Sequence, residues 1–382
     1  MQEPDTVSIA QSQQLCCQIS KLIQAQNNKI SFAEFMQQAL YAPGLGYYSA
    51  GTTKFGATGD FVTAPELGSL FAQCVAKQCA QILSNCASPT ILELGAGSGQ
   101  LACDLLLELA KLNINLNKYL ILELSVELQQ RQQQKISQQC PDLFNKVQWL
   151  SALPDTPING VIIANEVLDA MPVNKFQFYN SQLQELFVTE VDHKFKLILQ
   201  TPSAELENYF KQTKLALYLK NLTLPYISEV NLWLPAWIKS LSASLNSGAI
   251  LLFDYGFGRI EYYHPQRNTG TLMCHYQQQN NSDPFWYPGL QDITAHVDFT
   301  AIAEAAAANG LEIDGYTNLS GFLINTGITA ILQDTLIQAT ELNILTSPAE
   351  MGELFKAIIL TKNYISAETL IGFRQFDKLH SL

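Results

Sequence analysis

The run Thr90-Ile91-Leu92-Glu93-Leu94, followed at once by Gly95-Ala96-Gly97-Ser98-Gly99-Gln100, constrains this chain more than any other stretch. The first five residues are short, mostly apolar and bounded by Pro89 and Gly95, as a central parallel strand would be. Three glycines at alternate positions let the backbone turn sharply and approach a ligand that side chains would hold off. Leu101, Leu105, Leu106 and Leu109 then recur at helical spacing, so the loop ends at a helix N-terminus with free amides aimed into a crevice. Tyr119–Leu122 reads as a second strand, and it ends in Glu123, where a carboxylate can accept hydrogen bonds from a ribose. Further strands near Val147–Leu150 and at Gly160–Ala164 continue the alternation, which predicts an α/β fold around a parallel sheet.

The glycine spacing bears on the ligand. A dinucleotide fingerprint needs G-x-G-x-x-G, and counted from Gly95 its third position falls on Gln100. Counted from Gly97 it falls on Ala102, which some dinucleotide sites accept. The pattern E-x-G-x-G-x-G, from Glu93 to Gly99, matches better the first motif of S-adenosylmethionine (SAM) methyltransferases. Glu123 does not separate the two, since both cofactors carry a ribose. A purely structural turn remains the third reading of the loop.

Composition narrows the class. The chain has 382 residues, 47% of them hydrophobic and 15% charged, enough for an α/β domain with additions. A net charge of −12 disfavours nucleic acid as a partner and is compatible with a cationic substrate. No apolar run reaches the roughly 18–20 residues that span a bilayer, so no membrane insertion is expected. Glu3 and Asp5 precede the first basic residue, Lys21, which argues against a secretory or Arg-rich transit segment. The eight cysteines form no C-x-x-C pair; free thiols in a reducing cytoplasm and no metal site are expected.

Residues 1–88 read as a helical N-terminal extension. Within it Ser31-Phe32-Ala33-Glu34 has the form of a capping box, and a long helix is expected from Glu66 to about Leu83. The core is expected over 89–172 and 236–382, with Ala249–Tyr255 as the fifth strand and Phe355–Thr361 as the last. Between the two parts, Phe176–Tyr179, Leu186–Val191 and Phe195–Leu199 read as hairpin strands and Ala204–Leu219 as a helix. Residues 173–235 are therefore expected to insert as a lid or substrate wall. A long irregular segment, Gly256–Asp298, carries three of the five histidines, and loops that long are usually functional.

Several runs together resemble the MidA-type SAM-dependent methyltransferases, whose mitochondrial members are complex I assembly factors and protein-arginine methyltransferases. They are Gly59-Asp60-Phe61 with Thr63-Ala64-Pro65-Glu66, Glu93–Gly99, Ala164-Asn165-Glu166-Val167-Leu168-Asp169-Ala170-Met171-Pro172 and Asp254-Tyr255-Gly256. Tyr262–Arg267, Cys274-His275-Tyr276, Asp292–Phe299 and Met351–Lys356 complete the likeness, which runs from about residue 30 to near the end. The resemblance implies a Rossmann-like class I fold with a seven-stranded sheet. It implies SAM held by Asp60, Thr63, Pro65, Glu93, Gly95, Gly97, Gly99, Glu123 and Asn165. It also implies arginine methylation of a protein substrate, a respiratory complex I subunit among the candidates. One position departs from the family: Leu319 stands where its relatives usually carry Gln, which bears on substrate identity.

A guanidinium is a poor nucleophile because its pKa exceeds about 12. Carboxylates beside it can concentrate charge on one nitrogen and accept the proton afterwards. Glu166 and Asp169, just past the fourth strand, are the first candidates for that work, with a turn-holding role as the alternative. His296 can receive a proton and Asp298 can orient it; Tyr255 ends the fifth strand and can line the same crevice. A small-molecule methyltransferase and a SAM-binding assembly chaperone without turnover are the competing classes.

Overall fold

The structure is a computed structural model that describes residues 3–50, 63–220, 222, 224–332, 336–365 and 368–382. Its core is a mixed sheet built from β1 (Thr90–Leu94), β2 (Lys118–Leu122), β3 (Val147–Leu150), β4 (Ile158–Asn165), β5 (Leu245–Phe257), β6 (Glu312–Asn318) and β7 (Phe355–Lys362). The strands lie in the order β6-β7-β5-β4-β1-β2-β3, and a two-residue eighth strand, Val297–Asp298, pairs with the end of β5. β1 to β5 are mutually parallel, while β7 runs antiparallel between β5 and β6. Every residue of β1 is buried, as expected of a strand covered on both faces.

Helices Leu70–Leu83, Gln100–Lys111 and Leu319–Asn325 pack on one face of the sheet. Helices Leu234–Ser244 and Phe299–Ala308 cover the other. Leu70–Leu83 thus belongs to the core layer, so the expected boundary at residue 88 does not follow the packing. The single helix expected from Glu66 breaks at Gly68-Ser69, leaving a short turn, Ala64–Leu67, ahead of it. Leu319, the departure from the family pattern, is fully buried in the apolar layer beneath the sheet.

A second sheet is formed by Asn174–Tyr179, Gln182–Val191, Lys194–Gln200 and Tyr226–Val230, joined at one edge by Ile30–Ser31. The Ser31 capping box is present: Glu34 N–H donates to Ser31 Oγ at 3.1 Å and Ser31 N–H to Glu34 Oε2 at 2.9 Å. The expected helix Ala204–Leu219 splits at Lys214, which adopts a left-handed conformation. Leu15, Ile19, Phe32, Phe35 and Met36 from the N-terminal helices pack with Val188 of this sheet and with Cys274 and Ile293 of the long loop. That loop is not irregular throughout. It folds a third, small sheet from Met273–Tyr276, Gln279–Asn281 and Asp292–Thr294. No helix among the described residues is long and apolar enough to cross a membrane.

Candidate active site

The glycine loop leaves β1 and turns into helix Gln100–Lys111. Gly95, Gly97 and Gly99 all have left-handed φ angles, of 64°, 52° and 82°. A β-branched residue would be strained at any of them. Gly95 N–H donates to Leu122 O at 3.0 Å, which fixes the loop against the end of β2. Glu93, in β1, is 2% exposed, with Oε2 accepting from Tyr119 OH at 2.6 Å. Burial pushes its carboxyl up to about 7, although the Tyr119 hydrogen bond opposes the shift. Glu93 is therefore held at the end of β1, just ahead of the loop, by Tyr119.

Glu123 follows β2 and is held by Ser125 N–H at 2.9 Å on Oε1 and by Gln132 Nε2 at 3.2 Å on Oε2. Gln132 is a residue the sequence did not single out. Fully buried, it also donates to Gly97 O at 2.9 Å and accepts from Trp149 Nε1 at 3.0 Å. One side chain thus fixes the spacing between the glycine loop and the carboxylate opposite. Ser98 is bound by Glu66 and by Lys135 Nζ at 3.1 Å, which ties the Ala64–Leu67 turn to the same loop. Thr63 stands at the N-cap position of that turn without a side-chain cap hydrogen bond, Pro65 is its second residue, and Asp60 lies outside the described residues. At the end of β4, Asn165 donates to Glu166 Oε1 at 3.0 Å, and its Oδ1 is buried without a hydrogen-bond partner. An orphaned acceptor at the end of a central strand fits a ligand with donor groups, as the ribose and amino groups of SAM are.

Beside this crevice lies a cavity of about 310 Å³, lined by Tyr47, Tyr48, Thr63, Glu166, Asp169, Tyr255, Met273, His275, Asp292 and His296, among others. No lysine or arginine lines it among the described residues. Three carboxylates therefore share one wall space. Burial, then Asp169, raises Glu166 to about 8. Burial, then Asp254 and Asp292, raises Asp169 well above the usual carboxylate range. Glu166 also has a left-handed φ of 54°, a strained conformation for a non-glycine residue, at the point where the chain leaves the strand. Among the described residues no group of three His, Cys, Asp or Glu is arranged to hold a metal ion.

Asp254 is fully buried and accepts from Leu168 N–H at 2.8 Å, Asp169 N–H at 3.2 Å and Tyr255 N–H at 2.8 Å. It holds the turn that presents Glu166 and Asp169; burial, then Glu166, raises its own carboxyl to about 7. Tyr255 lines the cavity and stacks on His296 with ring centres 6.3 Å apart. Burial, then Arg267, pushes His296 down to about 4, and its Nδ1 is buried without a hydrogen-bond partner. The expected His296–Asp298 couple is not formed. Asp298 Oδ2 accepts from Arg259 Nε at 3.0 Å and Oδ1 caps helix Phe299–Ala308 through Ala301 N–H at 3.2 Å. Arg259, 2% exposed and also paired with Glu304 at 2.6 Å, claims Asp298 for the fold. Asp292 and Tyr48, by contrast, line the cavity without having been singled out as site residues; the only hint was Asp292 opening the run Asp292–Phe299.

A mostly parallel sheet with a glycine loop at a helix N-terminus and an acidic second strand end is the arrangement of nucleoside-cofactor enzymes of the α/β class. The comparisons specify it. Residues 74–317 match a family described as "Putative S-adenosyl-L-methionine-dependent methyltransferase", and the chain belongs to that family. A Burkholderia thailandensis protein solved with S-adenosyl-homocysteine bound is 40% identical, with a TM-score of 0.93 and 100% of both chains covered. The Drosophila melanogaster "Protein arginine methyltransferase NDUFAF7 homolog, mitochondrial" is 27% identical, covering 90% of this chain and 85% of its own. Its Danio rerio counterpart, "Protein arginine methyltransferase NDUFAF7, mitochondrial", is 27% identical, covering 86% and 82%. The protein is a SAM-dependent methyltransferase. The expected cytoplasmic location is overturned by these curated relatives, which are mitochondrial proteins.

Proposed function

We propose that this methyltransferase acts on arginine side chains of a protein substrate, with the guanidinium seated in the carboxylate cavity. The observation that carries the reading is the convergence of Glu166, Asp169 and Asp292 on one cavity with no lysine or arginine lining it among the described residues. Like charges in a buried space are costly until a cation enters. The names of the relatives agree with a guanidinium as that cation. The family resemblance extends the proposal to a respiratory complex I subunit as substrate.

The glycine loop, Glu123 and the Asn165 amide would hold SAM, with Thr63 and Pro65 at the mouth and Glu93 just ahead of the loop. When bound, SAM supplies an electrophilic methyl group. The chain's own residues do the rest. Glu166 and Asp169 orient the guanidinium and draw its charge toward the nitrogens that stay unreacted, and positioning supplies much of the rate. As the attacking nitrogen gains a methyl group it loses a proton, and Glu166, ionised by the guanidinium beside it, is the acceptor. Tyr255 and His296 form an aromatic wall, with His296 neutral at physiological pH. In this reading the core sheet is the seven-stranded class I arrangement, and residues 173–235 wall the substrate side. Incubation with methyl-labelled SAM and a cell lysate tests the proposal. Label on arginine in a protein supports it. Label in small molecules alone, or none despite SAM binding, would turn the assignment to the competing classes.

A further inference from the structure

Asp292 and Tyr48 sit 244 residues apart in the chain and meet at the cavity. Tyr48 OH lies 3.0 Å from both Asp292 oxygens, and Ile293 N–H donates to Oδ1 at 2.9 Å. Tyr48 is itself wedged between Tyr41, 5.5 Å away and stacked, and Tyr47, 5.0 Å away and edge-on. Tyr41 OH donates to Ala170 O at 2.9 Å, and Ala295 N–H donates to Asp169 O at 2.9 Å. The small sheet that carries Asp292 is thereby locked in position against the turn that carries Asp169. Asp292 is 3% exposed, lines the cavity, and is close enough to raise the carboxyls of both Asp169 and Glu166.

Glu166 and Asp169 come from one turn; Asp292 brings a carboxylate from a separate element. A lysine ammonium is a compact charge with three donors, which a single acidic wall can satisfy. A guanidinium is a planar fork with five donors, and it gains most where carboxylates come from more than one side. We propose that Asp292, clamped by Tyr48, is the specificity-determining carboxylate of this cavity, selecting a guanidinium over an ammonium by engaging nitrogens that Glu166 and Asp169 leave free. The proposal rests on the arginine reading above.

The test uses the full chain saturated with S-adenosyl-homocysteine, and a short peptide with one arginine beside its lysine counterpart. Calorimetry on Asp292→Asn should show the arginine peptide binding about tenfold or more weakly, with the lysine peptide little changed. S-adenosyl-homocysteine affinity and melting temperature should stay at the wild-type values, and KM for the arginine peptide should rise more than kcat falls. Tyr48→Phe, which keeps the charge and frees the clamp, should lose part of the same preference. An arginine-over-lysine preference unchanged in Asp292→Asn overturns the inference, as does a loss of cofactor affinity and melting temperature that accounts for the weaker peptide binding. Wild-type protein that binds the arginine peptide by this preference but never methylates it defeats the function reading while the inference stands.

Discussion

Arginine binding should be linked to proton release, and the linkage is large enough to measure. Glu166 has its carboxyl raised to about 8 by burial and by Asp169, so in the empty site at pH 7 it is mostly protonated. A guanidinium needs it ionised. Binding at pH 7 therefore expels about one proton from Glu166, to which the raised Asp169 adds, and for Glu166 alone each pH unit below 8 costs about 1.4 kcal/mol of affinity, or tenfold. Affinity for an arginine peptide should rise about 50-fold or more from pH 6 to pH 8. Calorimetry in two buffers of different ionisation enthalpy counts the proton directly. Glu166→Gln should reduce the release, make the profile shallower and slow methylation, while leaving SAM affinity near wild type. The sign on stability is opposite to that of a salt-bridged carboxylate. A folded-state pKa above the unfolded 4.5 means stability falls as pH rises from about 4.5 to 8, so Glu166→Gln should gain on wild type over that window. A wild-type affinity flat from pH 6 to pH 8, with no proton released, would refute the reasoning.

Three further outcomes follow from the cofactor side. Gly97→Val should abolish SAM binding, since φ at Gly97 is 52° and a branched side chain would both strain the loop and fill the space a ligand needs; calorimetry with S-adenosyl-homocysteine reads it. Gln132→Leu should weaken the same binding by roughly 1–3 kcal/mol, because it cuts the ties to Gly97 O and Glu123 and leaves Trp149 Nε1 without its partner. Tyr119→Phe should lower stability by about 1–3 kcal/mol at pH 8.5 and by less at pH 6, where Glu93, raised to about 7, is already protonated; thermal melts at the two pH values check it.

What the sequence disclosed was what local pattern encodes. The β1–loop–helix unit, the carboxylate after β2 and the turn after β4 each lie within a few residues of chain, and each was legible. The Ser31 capping box was legible for the same reason. The cavity's second wall was not. Tyr48 meets Asp292 only because the N-terminal segment packs on a small sheet whose strands, at three or four residues, are too short to show alternation. Asp298 was misread as the partner of His296 because the two are close in sequence, whereas Arg259, which holds Asp298, arrives from 39 residues upstream. Gln132 lay in a glutamine-rich helix whose polar residues look alike until burial separates one from the rest.

The most direct test of the account is single-turnover methylation with SAM prebound and three peptides that differ at one position: arginine, lysine and citrulline, the neutral isostere of arginine. The account predicts methyl transfer to the arginine peptide alone, because only it brings a planar cation to Glu166, Asp169 and Asp292. Transfer to citrulline at a comparable rate, or to lysine in preference to arginine, would contradict it.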